Sequence, residues 1–338
     1  MRVKLIDLCT PKQWKTLQTS ELLEEGYPVY GANGIIGYYS EYNHEKSVIA
    51  ITCRGATCGT INITVPESYV TGNAMCLDNV RSDVLQKYLY YCLQHYDFNN
   101  VISGSAQPQI TRQGLEKVEI ELCSLEEQRR IITILDNVSA EIAGRKRQNQ
   151  KLEELIKSRF VEMFGNPIKN TQNRPTTIFA DVVTMQRGFD LPVQDRQQDG
   201  TVPVYGSNGV LGHHNIAKVH GGGVITGRSG TIGKVFYAEG DFWPLNTSLF
   251  SVNTHGNNIV YLAYLLQMYN LSRFTEGTGV PTLNRNKFHG EQIIDIPRSE
   301  QDSFAAFVTE VDKSKLAVKQ SLEKLETLKK SLMQQYFG

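Results

Sequence analysis

The chain has 338 residues, 40% of them apolar, and its 35 Lys and Arg balance 35 Asp and Glu to a formal net charge of zero. This is ordinary globular composition with room for about two domains. No apolar run approaches the roughly 18 residues that suggest a membrane span, and Met1–Asp7 has no apolar core for a secretory signal, so a cytoplasmic location is expected. Proteins that grip nucleic acid unaided usually carry a basic excess, because phosphate neutralisation supplies most of their affinity. Here residues 1–124 carry 10 basic and 13 acidic groups, 125–167 carry 8 and 7, 168–298 carry 11 and 9, and 299–338 carry 6 and 6. Contact with DNA would therefore need local patches or positive charge from a partner.

The first distinctive element is Pro28-Val29-Tyr30-Gly31-Ala32-Asn33-Gly34-Ile35-Ile36-Gly37, whose glycines mark tight turns. Ser47–Thr52 reads as a short strand, Arg54-Gly55-Ala56-Thr57-Cys58-Gly59 as a turn, and Val84–Gln94 as a short amphipathic helix. Gly104-Ser105-Ala106-Gln107-Pro108 follows, with Arg112 four residues on. Together these predict a β-rich α+β head over 1–123. Ser124-Leu125-Glu126-Glu127 fits a capping box, with Ser124 as N-cap and Glu127 at N3, and opens a helix over 124–166. Its stripe runs Leu135, Val138, Ile142, Arg145, Asn149, Leu152, Ile156, Arg159 and Met163 at alternating spacings of three and four, a heptad pattern. Gly144 inside it should weaken the helix by about 1 kcal/mol and allow a slight bend.

The chain then says the same thing again. Pro203-Val204-Tyr205-Gly206-Ser207-Asn208-Gly209-Val210-Leu211-Gly212 matches the first motif at seven of ten positions, and the other three are conservative swaps. Gly223–Thr226 is the strand, Arg228-Ser229-Gly230-Thr231-Ile232-Gly233 the turn, Ile259–Met268 the short helix, and Gly277-Thr278-Gly279-Val280-Pro281 with Arg285 the next copy. Ser299-Glu300-Gln301-Asp302 is a weaker capping box, with Asp302 in place of Glu or Gln. The second stripe is Val308, Val311, Lys315, Val318, Leu322, Leu325, Lys329, Leu332 and Tyr336. This places a second head at 167–298 and a second long helix at 299–338. The offset of 173 to 175 residues is far longer than the period of about 20–50 residues in repeat arrays, so it signals a duplicated domain pair.

Polar residues interrupt the stripes at different places, Arg145 and Asn149 against Lys315 and Lys329, and such breaks specify register and partner. The simplest arrangement pairs the helices antiparallel within one chain, with the heads at opposite ends of a shared rod. A helix of about 40 residues is about 60 Å long, so the rod would act as a ruler. The competing arrangement packs each helix on its own head.

Catalytic signatures are missing. Gly227–Lys234 imitates a phosphate loop, but five residues intervene where four are required, and Val235 stands where Ser or Thr belongs. Asn166-Pro167-Ile168-Lys169 lacks the second proline and the aromatic of the amino-methyltransferase signature. No Asp or Glu lies two residues before a Lys, and neither His-Glu-x-x-His nor Gly-x-Ser-x-Gly occurs. His213, His214 and His220 cluster, but the first head has Tyr38-Tyr39 at that place. All six cysteines lie in the first half, and Cys53 with Cys58 fits no common zinc spacing, so no metal is expected.

The order head, helix, head, helix, with Tyr-Gly-x-Asn-Gly-x-x-Gly in each head (Tyr30–Gly37, Tyr205–Gly212) and Glu127-Gln128 and Glu300-Gln301 leading into the helices, resembles the specificity subunit of type I restriction-modification systems. The resemblance covers essentially the whole chain. It implies an α+β fold of two duplicated β-rich target recognition domains, separated by two long helices that form an intramolecular antiparallel coiled coil. The seam would use Leu135, Val138, Ile142, Asn149, Leu152 and Ile156 against Val308, Val311, Val318, Leu322, Leu325 and Leu332. Each head would read one half of a bipartite, asymmetric site in double-stranded DNA, and the helices would set the gap. The implied partners are two methyltransferase (modification) subunits, which methylate adenine with S-adenosylmethionine, and restriction subunits that add ATP- and Mg-dependent translocation and cleavage. None of those cofactors or activities would belong to this chain. The second copy ends at Phe337-Gly338, so contacts made by an extended C-terminal tail are not expected.

Heads that read different half-sites must differ where they touch bases, so the shared motifs are better candidates for scaffold or backbone contact. Arg54 and Arg228 are shared and suit a phosphate contact or an internal ion pair. The divergent positions are the candidate readers, because base edges are read by polar side chains. They are Tyr39, Asn43 and Lys46 against His213, Asn215 and Lys218, and Gln107, Gln109, Thr111 and Arg112 against Val280, Thr282, Asn284 and Arg285. Two other readings stay open: the specificity chain of a fused restriction-methylation enzyme, and a coiled-coil scaffold whose heads bind protein or glycan.

Overall fold

The computed structural model describes every residue except 33, 105, 106, 198 and 278–280. Of the motif positions above, Asn33, Ser105, Ala106, Thr278, Gly279 and Val280 therefore lie outside the described residues. The chain forms two compact units, residues 1–145 with 321–338 and residues 146–320.

In the first unit a four-stranded antiparallel sheet runs in the order Thr10–Gln13, Ala74–Asp78, Ile49–Thr52, Ile61–Ile63. Beside it is a three-stranded sheet in the order Gly34–Tyr39, Tyr27–Gly31, Tyr69–Val70. Its first pair is an antiparallel hairpin with a bulge between Val29 and Tyr30, and its second pair is parallel. Two further strand pairs, Arg2–Lys4 with Glu119–Glu121 and Ile102–Ser103 with Gln109–Ile110, complete the head. Ile49–Thr52 is buried at every position, the expected signature of a short apolar strand with both faces covered. The helix Gln86–His95 closes the core with Tyr88, Leu89 and Leu93, where Ile49, Ile51, Met75 and Leu77 meet it.

The second unit repeats this order. Its four strands are Thr184–Arg187, Ser248–Asn253, Gly223–Gly227 and Val235–Ala238, and its three are Gly209–His214, Val202–Gly206 and Trp243–Pro244. The bulge recurs between Val204 and Tyr205. Thr176–Ile178 pairs with Gln292–Ile294, and Thr275–Glu276 with Thr282–Leu283. Ile259–Tyr269 is the equivalent short helix, capped by Asn258, whose side chain accepts from the Val260 and Tyr261 N–H groups.

Two long helices, Leu125–Phe164 and Arg298–Phe337, each contribute to both units. In the first unit Ile131 and Leu135, near the start of one helix, share a core with Met333, and Leu332, Tyr336 and Phe337, at the end of the other, pack against it. In the second unit the roles reverse, and Ile156, Phe160 and Phe164 meet Phe304, Val308 and Val311. Start meets end in each unit, so the helices run antiparallel. All nine positions of each predicted stripe are buried or half-buried. The apolar face therefore follows the heptad, the pattern that keeps a seam turned toward its partner. At one polar break, Lys315 Nζ lies 3.7 Å from Glu153 on the facing helix, which is how a seam lysine keeps its charge compensated.

Ser124 caps the first long helix as expected, its Oγ accepting the Glu127 N–H at 3.3 Å. Ser299 does not cap the second. That helix begins one residue earlier, at Arg298, and the Pro297 carbonyl accepts the Glu300 and Gln301 N–H groups. Proline before the first helical residue supplies the start, and Asp302 turns instead to Arg298 (2.8 Å) and Asn258 (2.7 Å). The first helix runs unbroken through Gly144.

Candidate nucleic-acid interface

Three shared motifs converge at one end of each head. In the first, the Cys53 carbonyl accepts the Ile110 N–H (3.0 Å) and the Gly55 N–H donates to the Pro108 carbonyl (3.1 Å), so the Arg54 turn lies against segment 107–112. The hairpin turn joins them, with Thr52 Oγ1 donating to the Ala32 carbonyl at 2.5 Å. In the second head the Leu283 N–H donates to the Arg228 carbonyl at 2.8 Å, and Ser229 bridges Thr282. Lys234 Nζ donates to Asn208 Oδ1 in the hairpin turn at 2.7 Å. Glycine is required where these loops press together. A Cβ on Gly227 would sit 1.8 Å from the Thr231 carbonyl oxygen and 2.8 Å from that of Ser207. Gly34 and Gly209 hold φ of +90° and +105°, a region that costs other residues energy.

On this end Arg54, Gln107 and Arg112 are exposed, while Gln109, Arg228, Thr282, Asn284 and Arg285 are half-buried. Arg228 Nη1 donates to the Asn246 carbonyl at 3.5 Å. Asn284 is partly committed to the fold: its Oδ1 accepts the Asn286 N–H and its Nδ2 donates to Glu276. Lys287, with Asn284 helping, holds the Glu276 carboxyl below the usual carboxylate range. Burial, reinforced by the charge of Arg285, lowers His289 below the ordinary imidazole range, and its Nε2 accepts the Met185 N–H at 3.1 Å.

The other candidates sit elsewhere. Tyr39 pairs with Tyr27, and His213 and His214 with Pro203 and Val202, at the ends of the hairpins away from the turns. At about 3.3 Å per residue that end is roughly 15 Å from the turn. Tyr39 and His213 thus lie apart from the candidates near the turns. Lys46, His213, Asn215 and Lys218 are exposed, and Lys218 Nζ stands 5.1 Å from the centroid of the Trp243 ring. Tyr39 and Asn43 are turned to structural work. Tyr39 packs edge-on against Tyr69. The Asn43 amide pairs with both backbone groups of Val70, accepting its N–H (2.9 Å) and donating to its carbonyl (3.0 Å). That fixes the amide, so His44 Nδ1, 2.7 Å from Asn43 Oδ1, carries a proton and donates.

Among the described residues, the one group with metal-ligand spacing is His44, Cys76 and Asp78, whose ligand atoms lie within 4.8 Å of one another. His44 Nε2 already meets Asp78 Oδ1 at 3.0 Å, and burial raises the Cys76 thiol far above its usual range, so packing accounts for the group. Burial also pushes Cys9 up to about 12 and raises Cys53, Cys58 and Cys92. His214 is buried edge-on against Trp243 while His220 pairs with Asp241 at 2.6 Å, so the three neighbouring histidines do not converge.

An exposed apolar pair recurs in the two hairpins. Ile35 and Ile36 in one hairpin, and Val210 and Leu211 in the other, are about half exposed (52, 45, 50 and 53%). Scattered exposed apolar residues need no explanation, but here the same pair protrudes twice. Its signal was the two conservative swaps, Ile to Val and Ile to Leu, within the repeated motif.

The family model for the type I restriction modification DNA specificity domain matches residues 1–154 and 179–328. The chain is 31% identical over 110 residues to the type I restriction enzyme EcoprrI specificity subunit of Escherichia coli, a match spanning 32% of this chain and 27% of that one. It is 32% identical over 146 residues to the type I restriction enzyme MjaIX specificity subunit of Methanocaldococcus jannaschii, spanning 38% and 33%. In fold it is similar to the crystal structure of a type I restriction-modification S subunit from M. genitalium, with TM-score 0.63 and 16% identity over 100% of this chain and 96% of that one. A chain from a structure of type I restriction-modification complex assembly and conformational transition gives TM-score 0.56 and 14% identity, covering 100% and 97%.

Proposed function

The chain belongs to the family of type I restriction-modification DNA specificity domains, and on that premise we propose that its two heads, residues 1–123 and 167–298, each read one half of a split DNA site. It is a specificity subunit and not the catalyst. In this reading the paired helices hold the heads a set distance apart, and partner subunits methylate adenine in each half-site and, where a restriction subunit is present, cleave. The observation that carries the proposal is one strand order built twice with different side chains at matched positions: Gln109 and Thr111 stand where Thr282 and Asn284 stand in the other head. One scaffold with two different edges suits two different half-sites. Arg54 and Arg228, present in both, suit the phosphate backbone, which carries no sequence. The zero net charge fits a chain whose partners surround the DNA and supply much of the phosphate contact.

Mapping methylated adenines in the host genome with and without this gene tests the reading. The expected result is one split motif, methylated on both strands, that disappears with the gene. A methylation pattern indifferent to the gene counts against it.

A further inference from the structure

Each long helix buries one glutamine in its opening turns. Gln128 is 0% exposed and Gln301 is 1% exposed. Gln128 Oε1 accepts the Leu85 N–H at 2.8 Å, and its Nε2 donates to the carbonyls of Asp83 (2.9 Å) and Cys123 (3.0 Å). Gln301 Oε1 accepts the Asn258 N–H at 2.8 Å, and its Nε2 donates to the Ile296 carbonyl (2.8 Å) and to Asn257 Oδ1 (2.6 Å). Leu85 and Asn258 are the N-cap residues of the two short head helices. Cys123 and Ile296 lie just beyond the last strand of each head. Each amide therefore ties three segments together: the head's short helix, the chain leaving the head, and the long helix.

An apolar side chain of similar volume would fill the same space without the cost of burying an amide. It would not define a direction. Dispersion contacts tolerate small rotations, whereas a fully satisfied buried polar group accepts one arrangement and rigidifies its surroundings. The arrangement appears in both heads at an offset of 173 residues, so it serves something both heads do alike, which excludes reading different bases. A domain about 30 Å across that rocks by about 7° moves its far edge by about 3.4 Å, the rise of one base pair. A loose joint would blur any ruler by that amount.

Resting on the half-site reading above, we infer that Gln128 and Gln301 are positioning residues that lock each head on its long helix and thereby set how sharply the complex discriminates the gap between half-sites. The test uses the full chain assembled with its methyltransferase subunits and duplexes whose gap is native or changed by one or two base pairs. Wild type should lose about tenfold in affinity for one base pair of gap error, within the range of a single mismatched position. Gln128→Met and Gln301→Met should lose about threefold or less, while a base change inside either half-site should cost wild type and variants equally. Leu85→Pro removes the N–H that Gln128 accepts and leaves the glutamine in place. Its native φ of −75° suits proline, so it should loosen the gap in the same way even if the methionine variants fail to assemble. Assembled variants that keep the tenfold gap penalty, with or without a uniform drop in affinity, would overturn the inference. A wild-type complex with no gap preference would instead sink the half-site reading itself.

Discussion

The two heads share their strand order, hairpin bulge, glycine turns and buried glutamine, yet they are filled differently. Where its long helices meet the head, the second unit packs Phe160, Phe164, Tyr261, Tyr264 and Phe304 in successive edge-on and stacked contacts. The first unit packs Ile131, Leu135 and Met333 with Tyr88 and buried cysteines. What is the same in both must serve the frame and the joint to the helices. What differs is free to follow either core volume, as at these junctions, or the ligand, as at the exposed loops.

The two heads differ most sharply at residue pairs one repeat apart. Phe304 is 0% exposed in the aromatic cluster, and Ile131, 173 positions earlier, is 4% exposed. Phe304→Ala should destabilise its unit by about 3–5 kcal/mol, and Ile131→Ala its own by about 2–5 kcal/mol. Denaturant unfolding followed by a probe in each unit should show each loss in its own unit. Losses that always appear in both units together would show one cooperative structure in place of two. A smaller effect is expected at the shared arginines. Arg228→Ala and Arg54→Ala should each weaken DNA binding by the assembled complex nearly uniformly across sequences and lower the salt slope by about one. A folded variant with unchanged affinity would return these side chains to a purely internal role, for which Arg228 has a weak contact at Asn246.

The smallest expected effect is confined to one head. His289 in the second head faces Glu116 of the first in the repeat alignment. Its folded form favours neutral imidazole because of burial and then Arg285, so protonation opposes folding. Its stabilising contribution is present above the ordinary imidazole range and is lost as the pH falls through and below it. His289→Gln, which keeps an acceptor for the Met185 N–H, should flatten that acid sensitivity in the second unit. Equal acid sensitivity in wild type and variant would contradict the assignment.

Much of the fold was legible because duplication marks its own boundaries and because both stripes keep a heptad that lies against the partner helix. The start of the second long helix was misplaced by one residue because Pro297 and Arg298, not Ser299, define it. The candidate interface was legible as positions but not as directions. Asn43 looks like a base reader until Val70, 27 residues away, takes its amide. The pairing of Arg2–Lys4 with Glu119–Glu121 is likewise invisible to local pattern, since it joins segments more than 110 residues apart. Gln128 and Gln301 were in view as a repeated dipeptide, but nothing in the sequence says that they point inward.

In the proposed function the antiparallel helices measure the gap in a split DNA site. Inserting seven residues, one heptad, into each long helix at the boundary between the units (after Arg145 and after Gln320) adds about 10 Å at about 1.5 Å per residue. That is about three base pairs. Methylated-site mapping in cells carrying the lengthened chain should recover the same two half-sites with a gap longer by about three. The same half-sites with an unchanged gap would contradict the account.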